Sequence, residues 1–91
     1  RRLARTLASP NTLDFIELAP GYSVVEIVPS PNIVGRTLTD LDLRRKTGVN
    51  VLAIRHGSKV NAVPKGEDTI NKNDILIVAG MDADIDKLRK L

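Results

Sequence analysis

The chain has 91 residues, fourteen basic and eleven acidic groups for a formal charge of +3, no cysteine, and two aromatics, Phe15 and Tyr22. That length holds one domain whose core must be built from Val, Ile, Leu and Ala, and burial against a second copy would add to its stability. Disulfides, thiolate metal sites and thiol nucleophiles are excluded together, and mixed charge without stacking aromatics argues against a nucleic-acid stripe.

No apolar run approaches the roughly 20 residues of a membrane span, and no signal-peptide pattern opens the chain. The expected location is the cytoplasm. Arg1 in place of an initiating Met points to a piece of something longer. Residues 1–8, RRLARTLA, read as a short helix with Leu3 and Leu7 one turn apart. Ser9-Pro10 is a helix start, with Ser as the N-cap and Pro first in the helix. It predicts a second helix over residues 10–17, with Leu13, Phe15 and Ile16 on one side. Residues 1–20 are therefore expected to be a helical connector from an upstream domain, or an arm against a partner, or a plain surface element. Residues 21–91 would be the domain proper.

Ala19-Pro20-Gly21 ends that helix, and residues 22–28, YSVVEIV, are β-branched enough for a strand with both faces covered. Pro29, Pro31 and Gly35 make the following loop. Thr37 then caps a helix whose third residue is Asp40. On an unbroken helix Leu43 would lie about 140° from Leu38, so Leu38, Leu41 and Leu43 cannot all be buried together. A break near Asp42 removes the conflict, with Asp42 capping a second turn over residues 43–47 and Gly48 ending it in a left-handed conformation. The kink would hold Asp42 and Arg44 at the surface in a fixed relation. Arg45 and Lys46 read as cations favoured at a helix C-terminus.

Residues 49–56, VNVLAIRH, predict a strand with Val49, Val51 and Ala53 on one face and Leu52 and Ile54 on the other. Asn50 is a satisfied edge amide or a ligand contact. Gly57-Ser58 turns the chain into an antiparallel return strand over residues 59–63, stopped by Pro64. Residues 65–73, KGEDTINKN, are polar apart from Ile70. DILIVAG, residues 74–80, is the candidate central strand. Asp82 is an N-cap candidate for a last helix that buries Ile85, Leu88 and Leu91. The order β-α-β-β-β-α defines a small α+β fold with a mixed or antiparallel sheet of about four strands.

Catalysis finds little to work with. One histidine, no G-x-S-x-G elbow and a Gly-Ser-Lys triplet without the upstream glycine of a P-loop leave no nucleophile or phosphate cradle. The expectation is that the protein is not an enzyme. His56, beside Arg55 at a strand end, reads as a turn-flanking surface residue or a ligand contact.

The string VGRTLTDLDLRRKTGVNVLAIRHGSKV, then P-x-x-x-D-T-I, then N-D-I-L-I-V-A-G, resembles the C-terminal RCK domain, also called the TrkA C-terminal domain. The resemblance covers residues 22–91, and SPNTLDFIEL is similar to the segment that precedes this lobe in potassium-uptake regulators. It implies a regulatory lobe of a cytosolic gating ring, held as a homodimer and peripheral to the membrane through a potassium or cation transporter partner. No cofactor is required. In the subset most similar to KtrA-type proteins, the cleft between two lobes binds cyclic di-AMP, and the contact positions fall here on Leu38, Thr39, Asp42, Arg44, Val49, Asn50 and Pro64. In that setting Arg44 would meet a phosphate, while Asp42 would accept from a purine amine or pair with Arg44. The alternative is an oligomerisation lobe with another ligand or none.

Overall fold

A computed structural model describes residues 12–91. A five-stranded sheet of order β1-β2-β5-β3-β4, antiparallel throughout, carries three helices. In chain order the elements are β1 (Thr12–Ala19), β2 (Tyr22–Ile27), α1 (Leu38–Leu41), α2 (Leu43–Thr47), β3 (Asn50–His56), β4 (Lys59–Asn61), β5 (Asp74–Met81) and α3 (Asp82–Arg89). The apolar run of β5 lies in the middle of the sheet, and Leu76 and Val78 are wholly buried there.

The helix expected over residues 10–17 is not formed where the structure describes it: residues 12–19 are strand β1, the fifth strand. The helix expected over residues 1–8 lies outside the described residues. Two contacts that no local signal announces pull this stretch into the sheet. Phe15 pairs with Val25 and enters the core, and the Arg89 guanidinium donates to Thr12 Oγ1 at 2.8 and 3.0 Å, fastening the edge strand to α3. Leu13 and Leu18 fall at register shifts, and Ile16, paired with Val24, faces away from Phe15; all three are exposed.

Residue pairing separates the two faces of the sheet. Val25, Ile27, Leu76, Val78 and Ile54 join Leu41, Leu43, Ile85 and Leu88 from the helices in one core. Val24, Glu26, Ile75, Ile77, Ala53 and Arg55 line the other face, all half-buried. Strand β3 departs from simple alternation. A register shift between Val51 and Ala53 makes Leu52 an extra residue, so Val51 pairs with Val78 while Ala53 pairs with Ile77 on the opposite face. One inserted residue exchanges the faces of all that follow. Val51 and Ala53 therefore part company, and Leu52 turns outward.

Asp82 does not cap α3. Met81 is the N-cap, with no side-chain cap bond, and Asp82 is the first helical residue. Its carboxylate accepts from the buried Ser23 hydroxyl at 3.1 Å, and its amide donates to Gly21 O, so it ties the helix start back to β2.

At the other end of β5, Asp74 is a charged group only 2% exposed. Its Oδ2 accepts from the Asn71 amide at 2.8 Å, and its Oδ1 lies 2.5 Å from His56 Nδ1 across the β3–β5 pair. His56, read as a turn-flanking residue or a ligand contact, is the partner of a buried carboxylate. Removing one partner of a buried acceptor costs about 1–3 kcal/mol. His56→Ala should lower the urea midpoint by that equivalent with an unchanged slope in equilibrium unfolding.

Candidate functional site

Two very short helices meet at a left-handed residue to make the site. Thr37 is extended (φ −83°, ψ 161°), and its hydroxyl accepts from the Asp40 amide at 3.1 Å. Asp42 has φ 48° and ψ 47°, and its amide closes α1 by donating to Leu38 O. Gly48, at φ 87°, ends α2 by donating to Arg44 O at 2.9 Å. The break, the first cap and the final glycine are as the sequence predicts.

Asp42 stands at the N-cap of α2 as expected, but its side chain makes no cap bond, and its Oδ2 instead lies 2.5 Å from Arg45 Nε. Pairing of Asp42 with Arg44 is likewise absent. Arg45, read as a dipole cation, is the partner. A buried residue that drew no notice in the sequence, Thr47, locks the next turn. Its hydroxyl donates to Leu43 O at 2.6 Å and accepts from the Val49 amide at 3.2 Å.

The seven predicted residues, Leu38, Thr39, Asp42, Arg44, Val49, Asn50 and Pro64, line one open cleft of about 440 Å³, joined by Leu43, Val51 and Gly66. Their parts differ. Leu38 and Pro64 are half-buried, and Thr39, Arg44 and Asn50 are exposed. Val49 is 1% exposed and sits against Gly80, so its side chain belongs to the core and its backbone is what it gives the cleft wall. Gly66 is the residue the sequence reading missed. A Cβ there would fall 2.2 Å from Thr39 Oγ1, so any larger residue requires the exposed Thr39 hydroxyl to turn away.

The electrostatics reduce to one cation. Asp42 and Arg45 offset each other in a solvent-exposed pair worth little to stability. Arg44 makes no side-chain hydrogen bond or ion pair among the described residues. The first amides of α1 are also spoken for: Leu38 N donates to Asp68 O, Thr39 N to Gly66 O, Asp40 N to Thr37 Oγ1 and Leu41 N to Thr37 O. The start of α1 is therefore closed to an anion, and Arg44 is the one basic side chain among the described residues that line the cleft.

A second cleft of about 290 Å³ lies beside β4 and holds His56, Lys59 and the carboxylates of Asp68 and Asp74. Both acids are already satisfied from within the chain. Among the described residues, no group of three or more His, Cys, Asp or Glu is placed to hold a metal ion.

With that geometry in view, the fold defines a small α+β domain with a kinked-helix cleft, and comparison with known proteins supplies the family. The TrkA-C domain matches residues 22–91, and the chain belongs to that family. It is similar to the Ktr system potassium uptake protein C of Bacillus subtilis, 42% identical over 99% of this chain and 41% of that protein. To the Ktr system potassium uptake protein A of the same organism it is 33% identical, over 92% of this chain and 38% of that protein. It thus spans about two fifths of the length of these curated relatives. Among solved structures, the RCK C domain of the potassium transport protein KtrA in complex with cyclic di-AMP superposes with a TM-score of 0.73. That match has 33% identity over 80% of this chain and 86% of the other. No helix among the described residues is long and apolar enough to cross a membrane.

The loop that carries Pro64 depends on Asp68. Its Oδ2 accepts from the Lys65 amide and from Asn61 Nδ2, each at 2.8 Å, and these bonds, the amide first, hold its carboxyl below the usual carboxylate range. A depressed folded value stabilises above the unfolded value of about 3.9, and that contribution is lost as pH falls through the folded value. Asp68→Asn should therefore lower the urea midpoint by a constant amount between about pH 7 and 5. The gap should close in acid, as pH falls through the depressed folded value and the wild-type carboxylate also loses its charge.

Proposed function

We propose that this chain is the ligand-sensing and dimerisation lobe of a cytosolic gating-ring subunit that controls potassium or cation transport through a membrane partner, and that cyclic di-AMP occupies the kinked-helix cleft between two copies. The observation that carries the reading is the convergence of the seven positions on one cleft in which Arg44 is the one uncommitted cation among the described residues. The likeness to the KtrA domain that binds the same nucleotide supports it.

The chemistry is consistent at each contact. A two-fold symmetric dinucleotide suits an isologous interface, in which each copy meets the same half of the ligand. Arg44 and its symmetry mate would each take one phosphodiester, a planar fork against two oxygens. Leu38 and Pro64 offer an apolar edge to a purine, and Asn50 and the free Asp42 oxygen supply polar contacts from the other side. The chain's catalytic poverty fits a sensor rather than an enzyme. Residues upstream would link the lobe to a nucleotide-binding domain, and the location would be the cytoplasmic face of the membrane.

Isothermal titration with cyclic di-AMP should give one ligand per two chains. No heat at millimolar ligand and tens of micromolar protein would remove the ligand from the proposal. A charge-assisted hydrogen bond is worth about 1.5–3 kcal/mol and the substitution removes an arginine from each copy, so Arg44→Ala should weaken binding by at least about 100-fold. Its urea midpoint should stay that of the wild type. One feature favours a second reading, a purely structural oligomerisation lobe: the Asp42 carboxylate lines the cleft where a dianion would sit. A concentration-dependent dimer in sedimentation velocity, insensitive to the nucleotide, would establish that reading instead.

A further inference from the structure

The wall of the cleft opposite the kinked helix is a strap of residues 61–70, and its placement traces to a single side chain. Asp68 Oδ2 accepts from Asn61 Nδ2 at the end of β4 and from the amide of Lys65. These two partners bracket Pro64. The Asp68 amide returns a bond to Lys65 O at 2.9 Å, and Asn61 Oδ1 accepts from the Val63 amide, so the turn around Pro64 is closed from both sides. The main chain of the same strap then meets α1: Asp68 O takes the Leu38 amide at 3.1 Å, and Gly66 O takes the Thr39 amide at 2.9 Å. One carboxylate thus shapes the turn whose flanks grip the first turn of α1.

We propose that Asp68 is a positioning residue for the cleft, setting the gap between Pro64 and the start of α1 without touching the ligand itself. The inference rests on the reading that this cleft binds cyclic di-AMP. The cleft-lining residues do not include Asp68, whose side chain opens toward the second cleft on the far side of the strap. Arg44, on α2, is held by other means: the left-handed turns at Asp42 and Gly48 and the Thr47 hydroxyl. Loss of the Asp68 carboxylate frees Pro64 from its wall position and leaves the arginine side of the cleft in place. Neutral Asn keeps an acceptor oxygen but loses the charge that strengthens both bonds.

The separation of the two walls makes the inference testable by coupling. At a temperature where every variant is folded, Asp68→Ala should weaken cyclic di-AMP binding about tenfold, and Asp68→Asn should recover part of the loss. Asp68→Ala and Pro64→Ala should be strongly non-additive, because both delete the same wall. Asp68→Ala and Arg44→Ala should add. A residue that served only overall stability would lower the unfolding midpoint without this pattern.

A ligand-free readout runs beside it in amide exchange. The Leu38 and Thr39 amides of Asp68→Ala should exchange at least tenfold faster than in the wild type, while Gly48 at the end of α2 is unchanged. Wild-type affinity in Asp68→Ala, with Leu38 and Thr39 as protected as before, would overturn the assignment and leave the ligand reading standing. Should the wild type bind no cyclic di-AMP, the ligand reading falls, and amide exchange alone decides whether Asp68 sets the wall.

Discussion

Four main-chain hydrogen bonds between the start of α1 and the strap before β5 hold the functional end of the molecule together. Gly35 N reaches Ile70 O at 2.6 Å, Ile70 N reaches Arg36 O, Leu38 N reaches Asp68 O, and Thr39 N reaches Gly66 O. A helix of four residues cannot sustain itself in water, because nucleation costs more than one turn of bonds returns. Lacing α1 to the strap gives its orphan amides acceptors and supplies the order that the helix lacks. Ile70, wholly buried, anchors the strap to the core directly below. The seating of α1 and its gap to Pro64 follow from this attachment.

The same economy explains the charge of the cleft. With the first amides of α1 used in construction, the proposed recognition of an anion leans on side chains, and the pairing of Asp42 with Arg45 leaves Arg44 for the task. On the proposed reading a single copy of the chain presents half a site: one cation, one apolar edge and one open side. That incompleteness is what gives the proposed two-fold arrangement its physical motive. A second copy would double the charge to match two phosphodiesters and close the open side without any new residue type.

The kinked helix was legible in the sequence because each of its features has a local cause. Thr37 caps, Gly48 tolerates a positive φ, and the angular conflict between Leu38 and Leu43 demands a break. The last strand was legible as an unbroken apolar run. Strand β1 was not, because the Ser9-Pro10 signal speaks for a helix and the opposing causes, Phe15 against Val25 and Arg89 on Thr12, are distant in sequence. The extra residue at Leu52 was hidden for a related reason, since VNVLAIRH alternates acceptably in either register until its neighbours are known. Asp42 shows the limit within the site itself. Its left-handed backbone fits the predicted break, yet the side chain's choice between cap, Arg44 and Arg45 depends on geometry that spacing does not encode.

Among the described residues the helices cover one side of the sheet, and the other side carries Val24, Ile75 and Ile77 in its middle strands. Across these, Arg55 on β3 reaches Glu26 on β2 at 3.3 Å, spanning the central strand between the two isoleucines. Both partners are partly solvated, so the pair contributes little to folding. Its effect is on surface character: a zwitterion laid over the strip divides what would otherwise be a continuous greasy plane into separate small patches. Sheets left open on one side are prone to unwanted stacking, and a salt link astride the middle strand keeps this one wettable.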